Sequence, residues 1–149
     1  MKPATPITIR KHWVQVFTVE MWNQFLNAGA KVSGFRENRW GFVRSLQPGD
    51  YLLCYLSRVS RWAGILEVTA EPYLDNTRIW EGDTYPCRAE VRAVTVLPAE
   101  NGVPMRELAD KLSIFRVTNW RLLLMASPTL WKESDARAVI GAIQARQRP

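Results

Sequence analysis

The chain has 149 residues, 47% of them hydrophobic and 23% charged, the balance of one ordinary globular domain rather than of a disordered chain. No apolar run approaches the about 20 residues that span a bilayer, and Met1-Lys2-Pro3-Ala4-Thr5-Pro6 lacks the apolar stretch of a secretory leader, so a cytoplasmic location and no membrane partner are expected. The net charge of +6 comes from 20 Lys and Arg against 14 Asp and Glu, and lysine stands only at positions 2, 11, 31, 111 and 132. Arginine pairs bidentately with phosphate and stacks on flat rings, so this bias leans toward a polyanion, although an arginine-favouring genome produces the same bias.

In chain order, residues 12–18 form a β-strand with Trp13, Val14, Val16 and Phe17 as β-formers. Thr18 caps a helix carrying Met21, Trp22, Phe25 and Leu26 at helical spacing, and Gly29 ends it. Residues 31–46 are expected as a long loop with Trp40 and Phe42 in it. Pro48-Gly49-Asp50 turns into a buried strand from Tyr51 to Leu56, residues 57–61 turn back, and residues 62–69 return. A second loop holds Trp80, Glu81-Gly82-Asp83 and Pro86. Residues 87–97 alternate, with Cys87, Ala89, Val91 and Ala93 on one face. Pro104 is expected to open a helix with Met105, Leu108, Ala109 and Leu112 on one face. Ser134 is expected to cap a last helix with Ala136, Val139, Ile140 and Ile143 inward. The reading is one α+β domain over residues 1–149: a small curled sheet or barrel with helices around it, preceded by a tail at residues 1–11.

Catalytic chemistry finds few residues to work with. His12 is the one histidine and sits at a strand start, where a hydrogen-bonded or exposed ring is the ordinary outcome. Cys54 and Cys87 lie in apolar strand-like runs, as reduced buried thiols do, and with His12 they fall short of the four ligands of a structural zinc site. Neither GxGxxG nor GxxxxGK[ST] occurs. Asp50, Asp75 and Asp83 stand in turns, where Asp side chains satisfy local N–H groups. The expectation is a protein with no cofactor, no metal and no enzymatic activity.

The succession Thr18-Val19-Glu20-Met21-Trp22, then Gly34, Glu37 and Trp40, then Pro48-Gly49-Asp50 before a strand ending in Tyr55 carries a further signal. Ala63-Gly64-Ile65-Leu66-Glu67-Val68, Glu71-Pro72-Tyr73-Leu74-Asp75 and Tyr85-Pro86-Cys87-Arg88 complete it. In order and spacing this resembles the EVE domain family, relatives of the YTH readers, over residues 12–125. The resemblance implies a PUA-like curled mixed barrel of about five or six strands with flanking helices. It also implies an aromatic pocket for a modified base, with methylated or hydroxymethylated cytosine in DNA first and RNA second. An effector partner such as a restriction nuclease is implied as well. The chain departs from the family in its loop Arg36-Glu37-Asn38-Arg39-Trp40, so the base preference is left open.

A base pocket needs rings, a few polar groups and cations for phosphate. Seven tryptophans exceed what packing a core of this size calls for. Trp40, Trp80 and Trp62 are the candidate rings; each has a packing alternative, as a lid, a plug under a loop, or core. Asn38, Tyr55 and Ser57 are the candidate polar groups, and Arg36, Arg39, Arg58 and Arg61 the candidate phosphate contacts, expected on one rim. Trp13, Trp22, Trp120 and Trp131 are assigned to packing. Two other classes stay open: a protein-interaction or antitoxin-like module, and a binder of a free nucleobase.

Overall fold

The computed structural model describes residues 9–147, and most of the expected tail lies outside them. The sheet is built from β1 (His12–Phe17), β2 (Val32–Phe35), β3 (Tyr51–Leu56), β4 (Arg61–Val68), β5 (Tyr73–Leu74), β6 (Cys87–Val96), β7 (Val103–Pro104) and β8 (Thr129–Trp131). Its order is β2-β6-β4-β3-β1-β8, with β5 also on β6 and β7 on β4. Among the described residues only β1 and β3 run parallel; the other pairs are antiparallel. The register slips between Cys54 and Tyr55 and between Ile65 and Leu66, and such bulges bend a strand and increase its twist. The sheet therefore curls until β1 and β2 face each other across an open seam. A side chain spans it: the Gln15 amide nitrogen donates to the Gly34 carbonyl at 3.1 Å, and the Ser33 hydroxyl donates to the Gln15 carboxamide oxygen.

Each face of the sheet has its own core. Inside the curl, Trp13, Phe17, Leu52, Cys54, Leu56, Leu66, Val68 and Ala89 meet α1 (Val19–Asn27). Trp22 of α1 stacks on Phe25 at 5.3 Å, and its indole N–H donates to the Leu97 carbonyl at 2.9 Å. Gly64 makes room for it, since a Cβ there would lie 2.6 Å from the Trp22 ring. On the outer face, Val14, Leu53, Tyr55, Trp62 and Ile65 are covered by Met105, Leu108 and by Ala136, Val139 and Ile143 of the last helix.

The Pro48-Gly49-Asp50 turn ties the start of β1 to that of β3. Gly49 takes φ +95°, and the fully buried Asp50 carboxylate accepts from Lys11 N at 3.1 Å, Trp13 Nε1 at 3.0 Å and Gln47 N at 3.1 Å. Hydrogen bonds to a charged group contribute about 1.5–3 kcal/mol each, which offsets the burial of the carboxylate. Asp75 and Asp83 likewise accept from the backbone N–H groups of Thr77 and Thr84. Cys54 and Cys87 are free and buried.

Three expectations need correction. Residues 31–46 are not a loop: they hold β2, a 3-10 turn at Glu37–Arg39 and α2 (Trp40–Val43). Val32 to Phe35 is too short to show a period, and its pairing with β6 supplies the order. After Pro104 the chain makes 3-10 turns at Met105–Leu108 and Ser113–Arg116 rather than a helix; Met105, Leu108 and Leu112 are buried while Ala109 is exposed. The apolar stretch that follows is α3 (Trp120–Met125). The last helix, α4 (Glu133–Gln147), begins before Ser134, which lies within it rather than capping it.

Candidate nucleic-acid interface

Trp80 lies directly on Gly34 of β2. A Cβ at Gly34 would fall 2.5 Å from the indole Cη2 and Cζ3 and 2.9 Å from Tyr85 Cβ, so only glycine admits the ring. Tyr85, at φ 45°, closes on Trp80 edge-on at 5.5 Å. The loop carrying these rings, residues 75–86, is held by a buried cation. Arg88 donates to the carbonyls of Thr77, Thr84 (3.0 Å) and Tyr85 (3.3 Å) and pairs with Asp75 at 3.4 Å. The Thr77 backbone N–H, then its hydroxyl and the Arg88 charge, hold the Asp75 carboxyl below the usual carboxylate range. Arg78 adds donors to the Glu81 carbonyl at 2.7 Å and the Trp80 carbonyl at 3.2 Å. Within this framework the Trp80 indole N–H is buried and has no acceptor among the described residues. Leaving such a donor unmet costs about 1–3 kcal/mol.

The neighbouring wall is the segment after β2. The Cys87 thiol lies against the Arg36 and Glu37 carbonyls at 3.3 and 3.7 Å; burial and then the Glu37 charge push its pKa up, keeping it a protonated donor. Arg39 donates to the Ser127 carbonyl at 2.9 Å and the Ala126 carbonyl at 3.3 Å, with its guanidinium 4.2 Å above the Phe42 ring. The Ser127 hydroxyl accepts from Val16 N at 3.1 Å. Trp40 is half-buried at the edge of the inner core, while Arg36 and Asn38 are exposed. Gln15, Ser33, Gly34, Trp80, Asn38 and Trp40 thus belong to one region around the seam.

The remaining sequence candidates lie elsewhere. Trp62 is fully buried in the outer core, its indole N–H directed at Met105 Sδ at 3.1 Å, with Tyr55 and Trp131 edge-on at 5.0 and 5.3 Å. Neither Trp62 nor Tyr55 has a ring face to offer a ligand. Ser57 donates to the Phe17 carbonyl at 3.3 Å. Arg61 is folded onto the Ala99 and Glu100 carbonyls at 3.4 and 3.0 Å. The four arginines come from two different strand ends. β2 runs antiparallel to β6, which is antiparallel to β4, so β2 and β4 point the same way. Arg36 and Arg39 follow the end of β2, whereas Arg58 and Arg61 sit where β4 begins; across the seam Arg39 reaches Ser127, which holds Val16, and Ser57 holds the adjacent Phe17 carbonyl.

Gln15 and Ser33 were outside the candidate set. The signal for Gln15 was a lone amide in the apolar strand HWVQVF, which makes a buried polar role more informative than another apolar residue would be.

A curled mixed sheet with helices on its faces and a seam of this form defines a PUA-like fold. The EVE domain family model matches residues 11–128, and the chain belongs to that family. A UPF0310 protein of Pyrococcus abyssi is 29% identical over 122 residues, 74% of this chain and 75% of that protein. The Pho92 YTH domain, solved in complex with m6A, superposes with a TM-score of 0.65 at 16% identity, covering 97% of this chain and 90% of that one. The YTH domain of Zygosaccharomyces rouxii MRB1, solved with N6-methyladenosine RNA, gives a TM-score of 0.63 at 18% identity and coverage of 92% and 91%.

Proposed function

We propose that this protein is a non-catalytic reader that binds a nucleic-acid strand and holds a modified base at the seam between β1 and β2. The observation that carries the reading is the buried Trp80 N–H, which has no acceptor among the described residues, on an indole whose Cζ3–Cη2 edge lies over Gly34, the residue whose carbonyl takes the Gln15 amide. A flat heterocycle supplies the acceptor that this donor lacks and edge groups for the carboxamide and hydroxyl. The two YTH domains solved with methylated adenine share the fold. Trp40 and Trp80 are the rings, Asn38, Gln15 and Ser33 the edge contacts, and Arg36 the nearest exposed phosphate contact. Trp80 fills the space over Gly34, so the loop at residues 75–86 shifts as the base enters.

Methylated or hydroxymethylated cytosine in DNA is the first choice of base, on the family resemblance; methylated adenine in RNA is the second, on the two YTH complexes. Stacking contributes about 1–3 kcal/mol per ring, against a flipping cost of a few kcal/mol in a duplex and little in a single strand. Lacking a reacting group of its own in this reading, the reader acts from the cytoplasm through an effector partner such as a nuclease. The test is a binding panel of short DNA and RNA strands, each with and without cytosine and adenine modifications, at two salt concentrations. Preference for one modified strand, with affinity falling as salt rises, supports the reading. Equal affinity for every strand refutes the modified-base pocket. Tight salt-insensitive binding of the free base favours a metabolite binder.

A further inference from the structure

The segment from the 3-10 turn at Ser113–Arg116 through α3 packs one side on the outer core and leaves the other exposed. Val117 is 45% exposed and Leu122 67% exposed. Between them, Trp120 meets Phe115 edge-on at 4.9 Å, and the Arg121 guanidinium lies 4.4 Å over the Trp120 ring. Stacking uses the face of a guanidinium and leaves its N–H donors in the plane free. Arg121 spends none of them: among the described residues it has no hydrogen-bond or ion-pair partner, and neither has Arg116. Residues 111–132 contain Lys111, Arg116, Arg121 and Lys132 and no carboxylate. The strip also connects to the seam. α3, about 9 Å long at six residues, runs straight into Ala126 and Ser127, the carbonyls that Arg39 grips.

We propose that this strip is a second, sequence-tolerant contact surface for a single nucleic-acid strand, flanking the base at the seam. Arg121 and Arg116 take phosphates, and Trp120 and Leu122 give apolar area to the adjacent sugar and base. The chemistry commits to a polyanion with flat apolar groups. The unspent guanidinium on a ring calls for both, and the lack of any carboxylate in the segment disfavours a basic partner. The inference rests on the reader assignment above but adds residues which that assignment does not use.

The test compares the wild type with Arg121→Glu and Leu122→Glu, both exposed positions, after thermal melting shows each variant folded. A nine-nucleotide strand with the modified base near its centre, its unmodified twin and a modified trinucleotide are titrated. Roughly tenfold weaker binding of both nine-mers, a shallower salt dependence, and unchanged competition by the trinucleotide are expected. Wild-type binding of the nine-mers by both variants overturns the proposal. So does an equal loss with the trinucleotide, which would place the residues at the seam or in the fold. Binding of anionic vesicles in preference to either nine-mer also overturns it. If the wild type fails to distinguish the two nine-mers, the modified-base pocket fails, while the variants' loss on both still supports the strip.

Discussion

Trp80 and Gly34 are fitted to each other: the indole ring occupies the volume that any side chain at position 34 would claim. Gly34→Ala therefore expels the ring or shifts the loop at residues 75–86. Overpacking of this kind costs about 1–3 kcal/mol. The expected outcome is a lower melting temperature together with a changed preference for modified strands, measured on the same sample. Full stability with unchanged preference would remove Trp80 from the pocket.

Trp40 and Trp62 separate ring function from ring packing. Trp62→Ala empties a fully buried site in the outer core and costs about 3–5 kcal/mol, with base preference retained in the folded fraction. Trp40→Ala, at a half-buried position, has a smaller effect on melting and loses most of the preference for the modified base. The reverse pattern in paired melting and binding curves would mean that Trp40 is a structural lid.

Gln15→Leu keeps the volume of the strand residue but strands two polar groups, the Ser33 hydroxyl and the Gly34 carbonyl. Unfolding by urea should show a loss of about 1–3 kcal/mol. Ser33→Ala removes one end of the pair and costs less. Binding of the modified strand should weaken in both variants beyond what the fraction unfolded explains.

Arg36 and Arg39 follow β2, and Arg58 and Arg61 flank the start of β4. Arg36→Ala should reduce the salt dependence of single-strand binding by about 0.7 in log–log slope with no change in melting. Arg39→Ala should also lower the melting temperature, because it frees the Ala126–Ser127 turn. Arg58→Ala and Arg61→Ala should leave the slope unchanged. A drop in slope at Arg58 would show that the strand extends to the turn between β3 and β4.

Burial holds the His12 imidazole below its ordinary pKa of 6.5; Glu133 and Asp50 oppose this, and Arg10 and Arg137 add to it. The folded state thus favours the neutral ring. The stability it contributes is fully present above pH 6.5 and is lost as the pH falls through the lower folded value, because the unfolded chain takes up its proton first. Urea midpoints between pH 7.5 and pH 5 should fall with pH, and His12→Gln should flatten that dependence.

The parts of the fold legible in the sequence were those with local chemistry. Pro48-Gly49-Asp50 announces its turn, and Cys87, Ala89 and Val91 announce their inward face. For Trp62 the sequence leaves pocket and core open, because a position at a strand start does not reveal which face it takes; the register slip after Cys54 sets Tyr55 opposite Trp62, and both rings lie in the outer core. Arg36 and Arg58 both follow strands, and only the pairings of β2 with β6 and of β3 with β4 decide where each strand lies. For Trp80 the sequence leaves pocket ring and plug under a loop both open, since the glycine that receives it is far away in the chain.

The first four residues of β6 pair with β2, and Val91, Arg92, Ala93, Thr95 and Val96 pair with β4. The candidate site therefore draws on two stretches, residues 15–40 and 75–88, and neither contains it alone. Pairings between distant segments form slowly, after their loop-closure entropy has been met. A chain still being synthesised would have no affinity for its ligand until β6 had emerged and docked against β2. From then on, a ligand that binds only the assembled form would slow the reopening of that seam and lengthen the lifetime of the folded state.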